Sequence, residues 1–406
     1  MAVGLKPLST LHPVNGIRLG TAKAGIRKPD RYDLVLIECV PGTTAAAVFT
    51  QNRFCAAPVT VAREHLAKAT PRALLINTGF ANAGTGAPGY QDARDCCAAV
   101  AKQLGCKTEE VLPFSTGVIG ERFPLERVLA GIPACIGGLS PAGWADAAHG
   151  IMTTDTAAKA STRSIEIGTA RFHVTGIAKG AGMICPNMAT MLAFIATDAA
   201  VSAEILQAAL QTAVEGSFNR ITIDGDTSTN DACMLLATGQ ASDAVIERTH
   251  GPVYAAFVRA LQEVCDELAQ AIVRDGEGAT KFIAIDVAGG ASEADCLEVA
   301  YAIAHSPLVK TACFASDPNW GRILAAVGRA RIARLDVGAV AIYINDLCIV
   351  RGGARAPDYS EAQGQAVMRE AELRLRVELG AGVAQARVWT TDLSHEYVRI
   401  NAEYRT

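Results

Sequence analysis

The chain has little of what marks several functional classes. Of its 406 residues only 19% are charged and 5% aromatic, and its net charge of −4 is spread without a long block of one sign. The basic footprint of a nucleic-acid binder is therefore missing, as is a cationic face for an anionic membrane surface. No run reaches the roughly 18 apolar residues of a membrane-spanning helix. The first residues, Met1-Ala-Val-Gly-Leu-Lys6, lack the apolar centre of a secretory signal. Among twelve cysteines there is no C-x-x-C, and no Cys/His set has zinc spacing, so no metal is expected. There is no P-loop, no H-E-x-x-H and no G-x-S-x-G.

What is present is a core-forming chain. Half of the residues are hydrophobic and 37 are glycine, enough for two or three domains of roughly 100–200 residues each. Cysteines such as Cys39 and Cys348 sit in apolar runs. They read as small core hydrophobes in a reducing, cytoplasmic compartment. Strand-like runs are expected at 32–40 and 44–50, forming a hairpin about Pro41-Gly42, and at 73–76, 111–114, 171–177, 190–197, 282–287 and 386–391. Helical spacing is expected at 90–103, 202–214 with Ser202 as cap, 252–273, 291–303 and 360–379. A second hairpin should turn at Asn345-Asp346. Strands and helices cluster without strict alternation, which favours an α/β fold of the α+β layered kind over a doubly wound parallel sheet.

Two constellations look catalytic and are set aside. Gly84-Thr-Gly-Ala-Pro-Gly89 matches a dinucleotide fingerprint, but Pro88 and Tyr90 stand where a helix should open. Asp392-Leu-Ser-His395 groups triad residue types, but neighbours on a strand face opposite sides.

The most informative stretch is Lys179-Gly-Ala-Gly-Met-Ile-Cys-Pro-Asn-Met-Ala-Thr190, which places Thr190 at the head of an apolar run after a turn signal. A threonine there can attack the preceding carbonyl, that of Ala189, and cut the chain. The freed α-amino group then activates the same residue's hydroxyl. Its ordinary pKa of about 7.7–8.0 suits a general base near neutral pH. Around it stand weaker signals, each with a plain structural alternative. Thr116-Gly117 follows a strand and reads either as an oxyanion hole or as an ordinary turn. Thr153-Thr-Asp-Thr156 could meet a polar substrate or cap a helix. Lys179 could pair with a substrate carboxylate or simply be solvated. Glu277, between two glycines, could meet an ammonium or be a solvated turn residue. Asp317-Pro-Asn-Trp-Gly-Arg322 suits substrate contact or packing equally. The terminal Asn401-Ala-Glu-Tyr-Arg-Thr406 has no disordered polar tail and reads as docked, with Asn401 and Thr406 near a site.

Together these segments resemble the ornithine acetyltransferases (glutamate N-acetyltransferases). Thr222-Ile-Asp-Gly-Asp-Thr-Ser-Thr-Asn-Asp231 and Asp275-Gly-Glu-Gly-Ala-Thr-Lys281 match as well, so the likeness runs in order over nearly the whole chain. It implies a self-cleaving enzyme of arginine biosynthesis, cut between Ala189 and Thr190, that moves acetyl from N2-acetylornithine to glutamate by a ping-pong route through acetyl-Thr190. Thr190 would be the nucleophile, and Thr116 and Gly117 the oxyanion hole. Thr153, Lys179, Thr190, Glu277, Asn401 and Thr406 would contact substrate. The implied fold is α/β with sheets sandwiched between helix layers. A main catalytic domain would cover 1–279, and a smaller domain, 280–406, would return its end to the site. The implied assembly is an α2β2 heterotetramer, with no nucleic acid or membrane partner. No cofactor is implied. Acetyl-CoA is a second candidate donor, which would add N-acetylglutamate synthase activity, and these motifs do not discriminate.

Three positions depart from the family pattern: Phe80 where Asn is expected, Gly84 in place of Cys, and Cys185 in place of His. The rival within this chemistry is an N-terminal-nucleophile amidase or aminopeptidase, which passes the acyl group to water. A binding or scaffold protein is the rival outside it, with no chain break at all.

Overall fold

The computed structural model describes residues 2–185, 191–241 and 244–403. It divides into two compact units. The larger comprises residues 7–219 and 226–272; the smaller comprises 1–6, 220–225 and 273–406. The expected boundary at 279/280 lies just beyond the 272/273 division, and the two short segments that join the smaller unit carry no sequence signal.

The larger unit runs β1 (Ile17–Ala22), β2 (Leu34–Cys39), β3 (Thr44–Phe49), α1 (Ala57–Leu66), β4 (Ala73–Asn77), α2 (Gly86–Leu104), β5 (Val111–Ser115), α3 (Leu125–Gly137), α4 (Trp144–Gly150), β6 (Lys159–Ile167), β7 (Ala170–Lys179), β8 (Leu192–Thr197), β9 (Ala200–Val201), α5 (Ala203–Gly216), β10 (Ala232–Ala237), β11 (Val245–Ile246) and α6 (Pro252–Arg274). A four-stranded sheet has the order β1-β2-β4-β5 and a five-stranded sheet the order β3-β10-β8-β7-β6. The central strands are buried on both faces, as continuous apolar runs such as Ala73–Asn77 require. One face of each sheet meets the other in a shared core that includes Leu74, Ile76 and Phe114 with Ile177, Leu192 and Phe194. The second face of the four-stranded sheet packs on α2 and α3 through Leu75, Cys97 and Ile132. The second face of the other sheet lies under α6, where Gly176 leaves room for Val264 and Leu268. The result is helices on either side of two stacked sheets.

In the smaller unit β12 (Phe282–Gly290), α7 (Glu293–Ala304), α8 (Pro307–Phe314), α9 (Trp320–Gly328), β13 (Ala341–Ile344), β14 (Leu347–Arg351), β15 (Ala354–Arg355), α10 (Glu361–Met368), β16 (Glu372–Glu378), β17 (Ala384–Thr391) and α11 (His395–Ala402) follow in turn. Their strands form one six-stranded sheet, β15-β14-β13-β16-β12-β17. Ile285, Val299, Ile303, Val327 and Leu375 centre its core.

Several sequence expectations change here. β2 and β3 are not a hairpin: they lie in different sheets, because the Pro41-Gly42 turn carries the chain across the sandwich. The expected helix over 360–379 is α10 followed by β16. Its second half, Glu-Leu-Arg-Leu-Arg-Val-Glu, alternates with period two and buries every other residue. α2 opens at Gly86, so Pro88 sits in its first turn, where a missing N–H costs nothing. Gly89 is required there, since a Cβ would fall 1.9 Å from Thr85 Oγ1. Ser202 occupies the N-cap of α5 without a capping side-chain bond. Asp392-Leu-Ser-His395 is a strand-to-helix junction, not a strand. All twelve cysteines are free and eight of them are buried.

Candidate active site

The two sheets of the larger unit end near each other at their polar residues. β7 ends at Lys179, which lies opposite Leu192 of β8, two positions after Thr190 in the chain. β5 ends at Ser115, so Thr116 emerges from the other sheet. Lys179 Nζ donates to Thr116 Oγ1 at 3.3 Å, and both residues are buried. Thr190 and Ala189 lie outside the described residues, as does Thr406.

The Thr116-Gly117 turn is fixed by polar side chains. Thr116 N–H donates to Asn77 O at 3.0 Å. Ser115 Oγ donates to Asn77 Oδ1 at 2.6 Å, and Asn77 Nδ2 to Phe80 O at 3.0 Å. Asn230 Nδ2 donates to Ser115 O and to Ala81 O at 2.9 and 2.6 Å. Gly117 has φ 132°, and a Cβ there would lie 2.2 Å from the Gly79 carbonyl carbon, so only glycine fits. Phe80 bridges through its backbone to Thr116 and Val118. Its ring lies 5.7 Å from the Arg27 guanidinium and packs toward the α2–α3 core. Gly84, with φ +69°, leaves space for the Phe54 ring, and the Cys185 carbonyl accepts from Thr227 Oγ1 at 3.3 Å.

Beside Lys179 lies a buried ion pair that sequence reading missed. Asp155 and Lys159 have no exposed side-chain surface and meet at 2.7 Å. Asp155 also accepts from Thr153 N–H at 2.9 Å and from Gly180 N–H at 2.8 Å. Burial pushes its carboxyl up, but Lys159, Lys179 and the Thr153 N–H outweigh burial and hold it well below the usual carboxylate range. The bonds to Thr153 and Gly180 tie the segment around Thr153 to the end of β7. The one available signal was a carboxylate among hydroxyls with a lysine four residues on. It reads as a cap until its burial is known.

The smaller unit brings together Glu277 and Asn401. Asn401 Nδ2, on α11, donates to Glu277 Oε2 at 2.8 Å. The Asp275-Gly-Glu-Gly278 turn is pinned to α11: Gly278 has φ +69°, a Cβ would fall 2.4 Å from Tyr397 N, and Ser394 Oγ donates to Gly278 O at 2.6 Å. Glu277 is buried, so it is not the solvated turn residue of the plain alternative. Asp392 accepts from the N–H groups of Thr280 and Lys281 and from the Thr280 hydroxyl, which makes it a structural brace. Asp317-Pro-Asn-Trp-Gly-Arg322 starts α9, with Asn319 as its cap, and Arg322 Nη1 donates to Leu308 O at 2.9 Å. No cluster of potential metal ligands occurs among the described residues.

Two stacked sheets enclosed by helices, with a hydroxyl–lysine pair at the strand ends, define a layered α/β sandwich with a buried polar site where its strands end. The ArgJ family matches residues 18–406. The arginine biosynthesis bifunctional protein ArgJ of Pseudomonas fluorescens (strain Pf0-1) is 55% identical over 406 residues, all of both chains. That of Pseudomonas syringae pv. tomato (strain ATCC BAA-871 / DC3000) is 56% identical over the same length. A crystal structure of the protein of that name from Bacillus halodurans is 40% identical, covers 52% of this chain and 98% of that one, and superposes with a TM-score of 0.50. The chain belongs to the ArgJ family.

Proposed function

We propose that the chain is a self-cleaving ornithine acetyltransferase of arginine biosynthesis, cut between Ala189 and Thr190. The observation that carries this is the Lys179–Thr116 pair, buried where β5 and β7 end and beside the strand that Thr190 precedes. Its length relation to the Bacillus halodurans structure also fits. A solved chain matched over 98% of its length accounts for 52% of this one, about what one product of such a cut would be.

The residues take these roles. The α-amino group of Thr190 accepts the proton of its own hydroxyl as Oγ attacks the acetyl carbonyl of N2-acetylornithine. The Gly117 N–H and the Thr116 hydroxyl receive the oxyanion, and the Lys179 ammonium beside Thr116 polarises that hydroxyl and meets the α-carboxylate. Ornithine leaves with the proton, and acetyl-Thr190 remains. The amine of glutamate then attacks the same carbon and the hydroxyl is restored. Thr153 contributes a substrate contact beside Lys179. Glu277, oriented by Asn401, meets the ornithine ammonium, and Thr406 completes the set. Donor and acceptor share an α-carboxylate and differ in the side chain, so one carboxylate site serves both half-reactions. The relatives' designation as bifunctional favours acetyl-CoA as a second donor to glutamate. We place the enzyme in the cytoplasm as an α2β2 assembly; no described helix is long and apolar enough to cross a membrane.

The test is the intact mass of denatured protein beside a Thr190→Ala variant, with acetyl transfer assayed in parallel. Two fragments, the second beginning at Thr190, are expected from wild type and one uncut, inactive chain from the variant. A single uncut chain from active wild type overturns the reading. Release of acetate without N-acetylglutamate would favour the amidase. Thr116→Val should retain cleaved protein but lose roughly 10²–10³ in kcat, the effect of removing one oxyanion donor.

A further inference from the structure

The loop between β1 and β2 carries charge that the mechanism leaves unused. Over the whole sequence acids outnumber bases, 41 to 37. Within residues 23–31 the balance reverses: Lys23, Arg27, Lys28 and Arg31 stand with a single acid, Asp30. Lys23 and Lys28 are exposed, and Arg31 is half-buried. Arg27 meets Glu121 at 3.3 Å, whereas Lys23, Lys28 and Arg31 have no carboxylate partner among the described residues.

Side-chain bonds fix this loop in place. Asp33 accepts from the N–H groups of Ala24 and Ile26 at 2.7 and 2.6 Å. Arg127, on α3, donates to the carbonyls of Gly25 and Ile26 at 3.0 and 3.1 Å, and Ile26 is fully buried. Arg31 Nη2 donates to Met152 O at 2.5 Å, next to Thr153. Arg27 packs on Gly79, where an added Cβ would fall 2.8 Å from Arg27 Cβ. A guanidinium anchored on a carbonyl, as Arg31 is, keeps its charge for a ligand because no carboxylate neutralises it.

The register of the four-stranded sheet relates the loop to the Thr116-Gly117 turn. Ala22 lies opposite Leu34, Leu34 opposite Asn77, and Asn77 opposite Ser115. This row crosses the sheet at the edge from which Thr116 emerges. The loop leaves from the first two strands of the row and Thr116 from the fourth, so the β1 end lies three strand spacings, about 14 Å, from the turn. The proposed substrates differ in how they match cations at that distance. N2-acetylornithine carries one carboxylate and one ammonium and gains nothing from excess positive charge. Glutamate is small and has one negative charge in excess. Acetyl-CoA carries its negative charge on phosphates, separated from the thioester by the pantetheine arm.

We propose that the 23–31 loop holds the phosphates of acetyl-CoA, with Lys23, Lys28 and Arg31 as their partners, while the thioester carbonyl lies at the Thr116-Gly117 turn. This rests on the reading of acetyl-CoA as a second donor. The lysines act as point charges, and the guanidinium presents its remaining N–H groups to phosphate oxygens. The pantetheine arm follows the sheet edge between the two places.

The experiment compares wild type with the double variant Lys23→Gln/Lys28→Gln, using glutamate as acceptor and three donors: acetyl-CoA, S-acetylpantetheine, which lacks the phosphates, and N2-acetylornithine. In wild type, kcat/KM should be lower for S-acetylpantetheine than for acetyl-CoA. In the variant, kcat/KM for acetyl-CoA should fall roughly tenfold, the effect of losing two exposed charge contacts. The values for the other two donors should stay within about twofold, as expected of exposed positions, and the N2-acetylornithine reaction reports that the variant is folded. Adenosine 3′,5′-bisphosphate should compete with acetyl-CoA in wild type and more weakly in the variant. An unchanged kcat/KM for acetyl-CoA overturns this proposal alone, as does an equal loss with all three donors. Wild type that accepts acetyl from N2-acetylornithine and none from acetyl-CoA overturns the second-donor reading, and this proposal with it.

Discussion

Lys159 and Lys310 are buried lysines, one in each unit, and they are held in opposite ways. Lys159 meets the ionised Asp155, which carries two further donors. Lys310, on α8, donates to neutral oxygens of β17: the Thr390 hydroxyl at 3.0 Å, the Thr391 hydroxyl at 3.3 Å and the Thr391 carbonyl. Burial pushes its ammonium down to about 8, against weaker support from Asp392, Cys313 and Asp224. A buried cation bonded to dipoles, with carboxylates only further off, drifts toward neutrality. The first arrangement lies beside the proposed acetyl chemistry, where a fixed charge pattern orients substrate. The second ties the last strand of the smaller sheet to a helix, where charge is of no use.

The comparison can be broken most sharply at Asp155. Asp155→Asn strands Lys159 without its counter-ion, and loss of one member of a buried pair typically costs about 3–5 kcal/mol. Denaturant unfolding should show that loss, and a change within about 0.5 kcal/mol would mean that the pair contributes little. The two sites also predict gains of stability with rising pH in two separate windows. The Asp155 carboxyl lies below its unfolded value. Its stabilisation is therefore present above that value and fades as pH falls through the folded one. Lys310 also titrates below its unfolded value, so between about 8 and 10.5 the unfolded chain binds more protons and stability rises with pH. Lys310→Met should abolish that alkaline gain, and melting curves across this window would show it; an unchanged slope would place the effect elsewhere. The smallest effect is expected at the surface. Arg274 meets Glu372 at 2.8 Å, and Glu372 is 55% exposed. Glu372→Gln should change the unfolding free energy by about 0–1 kcal/mol, and a larger loss would show that the neighbouring Arg274–Phe282 stack depends on it.

Where a local pattern dominates, the sequence was readable. The period of α6 and the Asn345 turn between β13 and β14, with φ 51°, follow from neighbours in the chain. Choices made by distant partners were not readable. Nothing near Pro41-Gly42 says that β3 will pair with β10, nearly 200 residues later. Residues 360–379 have enough helix formers to hide the alternation of β16, which is decided by β12 and β13 on its two sides. The candidate site divides in the same manner. Thr116, Lys179, Glu277 and Asn401 were found through their motifs, and the structure joins them in pairs. Asp155 was passed over although it stands inside a quoted motif. Its meaning depends on burial and on which donors reach it, and a linear reading contains neither.

The strand order β3-β10-β8-β7-β6 has a further consequence for a chain cut before Thr190. β8 and β10 would belong to the second fragment and their flanking neighbours β7 and β3 to the first, so two antiparallel ladders, Val174–Thr197 to Lys179–Leu192 and Thr44–Ala237 to Phe49–Ala232, would hold the pieces together. The first fragment would supply both margins of a sheet whose middle belongs to the second. An intact precursor refolds as a unimolecular event. The severed protein, once unfolded, would have to find its other half in solution, at a rate set by concentration. The lifetime of its native state would then be set by how slowly it unfolds, and not by an equilibrium with the separated pieces.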